Sequence, residues 1–192
     1  MKLLSSKQEE VLIGSILGDG YLELNGNNCR FQSQHSFKQK KYVDWKWSIF
    51  NGFVKSKPRQ VGKGDYRFRT INSHVLTAYH AVFYPDGKTK IIPKMIANLL
   101  VHPLALATFY MDDGKRRPDC RGFFLDTLAF TMEDQKLLIN ALERNFGFKN
   151  LRLHWNGDGY HIYFPAKNAN LFINQVKPYI ISSMRYKLPL AP

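Results

Sequence analysis

The sequence predicts an α/β fold of the α+β kind built by internal duplication, each half running helix, two strands, helix, two strands, helix: an αββαββα repeat. Three observations predict it. The apolar stretches "LIGSILGDG" (12–20) and "LATFYMDDG" (106–114) are both helix-like and both run into Asp-Gly. Each is followed by short alternating runs of the kind that form antiparallel strands. A Lys-Pro landmark then returns at matching distance, with 71 residues from Asp19 to Lys90 and 74 from Asp113 to Lys187. The halves divide as 1–98 and 99–192.

In the first half, Ser6 with Glu9 three residues on reads as a capping box. Val11, Leu12, Ser15 and Leu17 continue at helical spacing until Gly20, which gives a helix over 7–18. Residues 21–37 form a hairpin turned at Asn25-Gly26. Residues 38–52 are helical, with Tyr42, Trp45, Ile49 and Phe53 on one stripe. Two strand-like runs follow over 54–70, joined by a Gly62-x-Gly64-Asp65 turn. Lys55, Lys57 and Arg59 alternate there, as do Arg67 and Arg69, so each set falls on one strand face. Asn72 is placed to cap a helix carrying Val75, Leu76, Tyr79 and Phe83. "YPDGKTK" (84–90) is loop and turn.

In the second half, Pro103 suits a first helical position and the helix ends at "DDG". A basic turn, "GKRRPDC", leads to the strand-like "RGFFLDTLAF". Thr131 caps a helix holding Leu137, Leu138, Ala141 and Leu142, closed by Gly147. "KNLRLHW" and "GYHIYF" make a hairpin across Asn156-Gly157-Asp158. A last helix reaches Lys177, where Pro178 stops it.

Composition narrows the function. Lys and Arg number 28 against 15 Asp and Glu, a formal net charge of +13, which points to a polyanionic partner and first to nucleic acid. No apolar run approaches the ~20 residues of a membrane span. The opening "MKLLSSKQEE" turns polar after four residues, unlike a signal peptide. Cys29 and Cys120 form no C-x-x-C pair, which argues against structural zinc or a disulfide framework and for an intracellular setting.

The Asp-Gly ends carry the chemistry. A carboxylate at a helix C-terminus meets the negative end of the macrodipole, at a cost of roughly 0.3–1 kcal/mol. If the two motif helices pack side by side, Asp19 and Asp113 meet and repel unless a divalent cation lies between them. Gly14 and Gly18 permit that close approach; Thr108 and Asp112 stand at the matching places of the second helix. Hard oxygen ligands without His or Cys nearby select Mg²⁺. On a basic protein this suggests phosphodiester hydrolysis, with Lys90 and Lys187 stabilising developing charge. Base reading in a major groove needs Arg, Lys, Gln and Asn on strand faces. Candidates are Arg30, Gln32, Gln34, Lys57, Arg59, Arg67 and Arg69 in the first half. The second half offers Arg117, Arg121, Arg152 and His154, with Asp126 as an addition.

These motifs, with "KIIP" (90–93) and the closing "KPYIISSMRYKLP", resemble the single-chain, two-motif branch of the LAGLIDADG homing endonucleases. The resemblance implies a pseudo-twofold αββαββα repeat, with the motif helices at the centre and two curved antiparallel sheets forming a DNA-binding saddle on the major groove. It implies that Asp19 and Asp113 bind metal at two scissile phosphates, assisted by the carbonyls of Gly18 and Asp112. Lys90 and Lys187 match the basic residues that support the two centres. For the residue that organises water, Gln34 is the match in the first half, and Leu128 sits near the matching place in the second. The implied activity is a monomer's double-strand cut at a long non-palindromic site, leaving short 3′ overhangs. Mg²⁺ would be the cofactor, with Mn²⁺ substituting and Ca²⁺ supporting binding alone. Neither a membrane nor a protein partner is expected, and the compartment is an organelle or a bacterial cytoplasm. The alternatives on this scaffold are a maturase that binds group I intron RNA and a DNA-binding regulator that does not cut. Retention of both acids and both lysines favours the nuclease.

Overall fold

In the computed structural model, which describes residues 3–190, each half contributes one four-stranded antiparallel sheet. The first holds β1 (Tyr21–Asn25), β2 (Asn28–Ser36), β3 (Arg59–Val61) and β4 (Asp65–Arg69) in the order β1-β2-β4-β3. The second holds β5 (Gly114–Arg116), β6 (Phe123–Leu125), β7 (Arg152–Trp155) and β8 (Tyr160–Phe164), in the order β5-β6-β8-β7. The path is the same in both. Helices α1 (Ser6–Leu17), α2 (Lys40–Ile49) and α3 (His74–Phe83) serve the first sheet, and α5 (Pro103–Asp113), α6 (Met132–Phe146) and α7 (Ala169–Val176) the second. A short helix in the connector, α4 (Ile96–Leu99), has no counterpart in the sequence reading.

The motif helices α1 and α5 pack against each other, and residues 11–17 of α1 and 104–112 of α5 are buried throughout. Helices apolar on every side belong at the centre of a molecule. Gly14 and Gly18 make the contact possible. A Cβ on Gly14 would stand 2.2 Å from the Ala105 carbonyl oxygen, and one on Gly18 would stand 2.5 Å from Asp112 Cβ.

The N-cap of α1 lies one residue earlier than the expected Ser6. Ser5 is the N-cap: its Oγ accepts from the Gln8 N–H (3.3 Å) and its own N–H donates to Gln8 Oε1 (3.1 Å). Gln8 fills this role rather than Glu9 because its amide also donates to the carbonyls of Ile49 and Asn51, satisfying the end of α2. In the first hairpin Asn25 pairs with Asn28, so the loop is Gly26-Asn27. Gly26 is first because that position has φ +69°. Helix α3 begins after Ser73, since the Asn72 side chain is spent on Asn25, whose carbonyl it reaches at 2.7 Å.

Two strand expectations change. Lys55 and Lys57 lie in a loop before β3, which starts only at Arg59. In the second half, the basic turn itself begins with a strand, β5, and "RGFFLDTLAF" supplies only the three residues of β6. The Asp126 N–H adds one more rung to the β5–β6 pairing, donating to the Asp113 carbonyl at the end of α5 (2.9 Å), and the next residue leaves the sheet, the Thr127 hydroxyl donating to Gln135 of α6 (2.8 Å). Helix α2 ends at Ile49, short of the expected 52; Tyr42 on it and Phe53 after it are buried as expected, whereas Trp45 and Ile49 are only partly so, and Val43, Lys46 and the C-cap Phe50 complete the inner side. No helix among the described residues is long and apolar enough to cross a membrane.

Candidate active site

The packing of α1 on α5 brings Asp19 and Asp113 to one end of the helix pair, where both line a cavity of about 370 Å³ with Lys90 and Asp126. Asp19 is half exposed. Asp113 is largely buried, and its carboxyl is pushed up to about 8 by that burial first, then by Asp19 and Asp112. Carboxylates assembled in this way favour a cation among them.

Each predicted lysine sits on a carbonyl at the end of a motif helix. Lys90 Nζ donates to Gly18 O (2.6 Å), and Lys187 Nζ to Asp112 O (2.5 Å) and Met111 O (2.7 Å). These are the carbonyls expected to assist a metal, so the ammonium groups mark places where positive charge is stabilised. Burial pulls both lysines below the usual range, against the opposing pull of Asp113, Asp112 and Asp19.

The expectation of no histidine nearby is corrected. His35, at the inner face of β2, places Nδ1 3.5 Å from Asp19 Oδ2 and Nε2 3.5 Å from Asp112 Oδ1. Asp19, His35 and Asp112 each offer a ligand atom within 4.8 Å of one another, a candidate divalent-metal group. Within it, both oxygens of Asp112 already accept from Lys46 Nζ, at 2.7 and 2.9 Å. Lys46 escaped the sequence reading, although it lies four residues from both Tyr42 and Phe50, on the buried stripe of α2.

Ionisation in this cluster predicts a pH-dependent stability. His35 is held down to about 3 by burial and Lys46. The unfolded imidazole therefore takes up a proton near pH 6.5 that the folded one refuses, and stability rises with pH across that lower range. Asp113 acts with the opposite sign: unfolded it ionises near pH 4, folded only near 8, so stability falls as pH rises between them. Between pH 6.5 and about 8 the Asp113 contribution stands clear of the His35 one. Chemical denaturation in chelator should show stability falling there by up to about 1.4 kcal/mol per pH unit, and Asp113→Asn should flatten the slope.

The outward faces of the two sheets differ. On the first, Arg30, Gln32 and Gln34 of β2 and Arg67 and Arg69 of β4 point the same way, with Arg59 of β3 opposite Arg67. Arg69 donates to Gln32 (2.6 Å) and Gln34 donates to Asp65 (2.9 Å), while Arg30 pairs with Glu23 (2.7 Å). Lys57, though outside the strand, borders the same surface beside Arg59, Arg67 and Arg69. On the second sheet, Arg152 and His154 are exposed on β7, and His154 stacks on Phe124. Arg117 is in the turn after β5, paired with Asp119. Arg121 precedes β6, and its guanidinium donates to the Leu190 carbonyl and to Asn170 of α7. Its neighbours in sequence suggested a strand, which starts only after it.

Register also corrects the match for Gln34. Tyr21, after Gly20, pairs with Gln32, and Lys115, after Gly114, pairs with Phe124. Two residues further along, Gln34 corresponds to Asp126 rather than Leu128. Asp126 faces His161 at 3.4 Å, and Gln34 lies opposite Arg67.

Comparison with known proteins matches residues 9–172 to the profile of the LAGLIDADG DNA endonuclease family. The chain is 32% identical to a "Probable intron-encoded endonuclease 1" of Wickerhamomyces canadensis, over 96% of this chain and 85% of that one. It is 29% identical to the "Cytochrome b mRNA maturase bI2" of Debaryomyces hansenii, over 97% of this chain and 75% of that one. Among solved structures, "The homing endonuclease I-WcaI bound to its DNA recognition sequence" superposes with a TM-score of 0.91 at 29% identity, covering 100% of this chain and 90% of the other.

Proposed function

The chain belongs to the LAGLIDADG DNA endonuclease family, and on that premise we propose how its residues divide the work of a site-specific, metal-dependent cut. Asp19 and Asp113 hold divalent metal at two scissile phosphates, one per strand, with the carbonyls of Gly18 and Asp112 beside them. The observation that carries this reading is the shared cavity of Asp19, Asp113 and Lys90, in which the Asp113 carboxyl is forced up by burial first and then by its acidic neighbours. The donors are mainly hard oxygens, which fit Mg²⁺, and Mn²⁺ fits equally beside an imidazole. When bound, such a cation polarises the phosphoryl group and acidifies an attacking water.

The chain's own groups supply the rest. Lys90 and Lys187, fixed on the helix-end carbonyls, place positive charge against each developing negative charge. Gln34 and Asp126, at matched positions, hold water near the two centres. The first sheet reads bases and phosphates through Arg30, Gln32, Gln34, Arg59, Arg67 and Arg69, with Lys57 at its border; the second reads through Arg152 and His154, with Arg117 at its edge. Because those faces differ, the site is long and non-palindromic. The halves, 1–98 and 99–192, act within one monomer, inside a cell, in an organelle or a bacterial cytoplasm.

The test is cleavage of a randomised duplex library in Mg²⁺ and in Ca²⁺, read by sequencing the ends. One dominant site cut only in Mg²⁺, with short 3′ overhangs, is the expected result; intact DNA in Mg²⁺ with salt-sensitive binding would overturn it. Similarity to the Debaryomyces hansenii maturase favours a second reading, in which the same basic surface binds intron RNA. Competition of structured intron RNA against the DNA site measures that activity directly.

A further inference from the structure

Among the described residues, one buried ionic group has no counterpart across the pseudo-twofold. Asp112 and Lys46 are fully buried side chains from opposite halves, with Lys46 Nζ 2.7 Å from Asp112 Oδ1. His35 lies beside them, its Nε2 3.4 Å from Lys46 Nζ and its Nδ1 3.5 Å from the Asp19 carboxylate. Superposing the repeats by register and by the starts of α2 and α6 gives the matching residues. His35 corresponds to Thr127, Lys46 to Leu138, and Asp112 to Gly18. Thr127 and Leu138 are buried as their partners are, and no ionic pair links them.

A buried ion pair carries a desolvation cost that an apolar pair avoids, so its presence at only one of two equivalent places calls for a function. The geometry supplies one. The Lys46 ammonium can only donate, so the His35 Nε2 it faces must be the accepting nitrogen. The imidazole proton of neutral His35 is then on Nδ1, aimed at Asp19. Without Lys46, the Asp112 carboxylate would instead demand a proton on Nε2, leaving a lone pair toward Asp19.

We propose that Asp112, Lys46 and His35 form a one-sided positioning relay that fixes the Asp19 carboxylate and makes the two strand-cutting centres inequivalent. Lys46 touches neither substrate nor reacting atoms; it is a positioning residue that acts through the tautomer of His35. The relay rests on the endonuclease reading above, and it runs between halves: Asp112 belongs to the second motif and serves the first centre.

The experiment compares wild type with Lys46→Met, and with Lys46→Met/Asp112→Leu, which removes both charges and so keeps the fold if the single variant loses it. Cleavage of each strand of the wild-type site is followed separately, and the Asp19 strand is assigned as the one most impaired by Asp19→Asn. In Lys46→Met the ratio of Asp19-strand to Asp113-strand cutting should fall by at least about tenfold, the usual size of a lost outer-shell contact. In the double variant, where no carboxylate draws the proton to Nε2, the ratio should recover toward wild type. Leu138→Met, at the mirror position, should leave the ratio unchanged. Nitrogen-15 spectra of the histidines should show the His35 proton on Nδ1 in wild type and moved to Nε2 in Lys46→Met. Equal slowing of both strands, an unmoved ratio in a folded Lys46→Met, or a ratio that falls about tenfold in the double variant would overturn the relay. Failure of the wild-type chain to cut either strand would instead overturn the endonuclease reading, and the spectra would still decide the tautomer.

Discussion

Asp19→Asn and Asp113→Asn each lose cutting of at least one strand by about a thousandfold, as expected when several kcal/mol of transition-state charge stabilisation disappear. Binding in Ca²⁺ persists, because the basic sheet faces are untouched. The two variants should part company in stability. Asp113 is largely buried and its ionised form is opposed by burial and by Asp19, so the neutral amide should stabilise the metal-free fold at pH 8. Asp19 is half exposed, and its replacement should change stability by no more than about 0.5 kcal/mol. Strand-resolved cleavage and thermal melts of both proteins, with and without Mg²⁺, check this. Complete double-strand cutting by either variant would refute two metal centres. A stabilised, inactive Asp113→Asn would identify the buried acid as a site where function opposes stability.

Affinity for the target falls by about 10³ to 10⁵ between roughly 50 and 200 mM salt if six to ten phosphates are neutralised. The first sheet should dominate that slope. Four guanidinium groups, of Arg30, Arg59, Arg67 and Arg69, share its outer face, and the Arg67 group is lowered first by burial and then by Arg69 and Arg59. A polyanion relieves this repulsion, whereas Glu23 already offsets Arg30 within the protein. Arg59→Ala and Arg67→Ala, measured by titration across salt, separate two roles. A phosphate contact lowers the slope by about one, while a base contact leaves the slope and relaxes preference at one position by about 1–3 kcal/mol. Wild-type affinity that hardly responds to salt would contradict phosphate-driven binding.

The sequence by itself determined the repeat, the motif helices and the helix-end carboxylates, because these depend on neighbours a few residues away. Periodicity sets which helices are central, Gly147 must close α6 in a left-handed conformation, and Gly14 and Gly18 announce a close helix contact. The spacing of Lys90 and Lys187 from the motifs was legible for the same reason, since duplication repeats distance along the chain. Tertiary structure alone decided the rest. Strand register made Asp126, not Leu128, the partner of Gln34, and a shift of two residues leaves no trace in composition. The Arg121 guanidinium reads as a free group in sequence, and only the fold shows it donating to Asn170 and the Leu190 carbonyl. Lys46 and Asp112 lie 66 residues apart and meet only when the halves pack. An unpaired lysine on an apolar stripe looks like a surface charge in sequence; only the buried carboxylate across the interface makes its place in the core physically tenable.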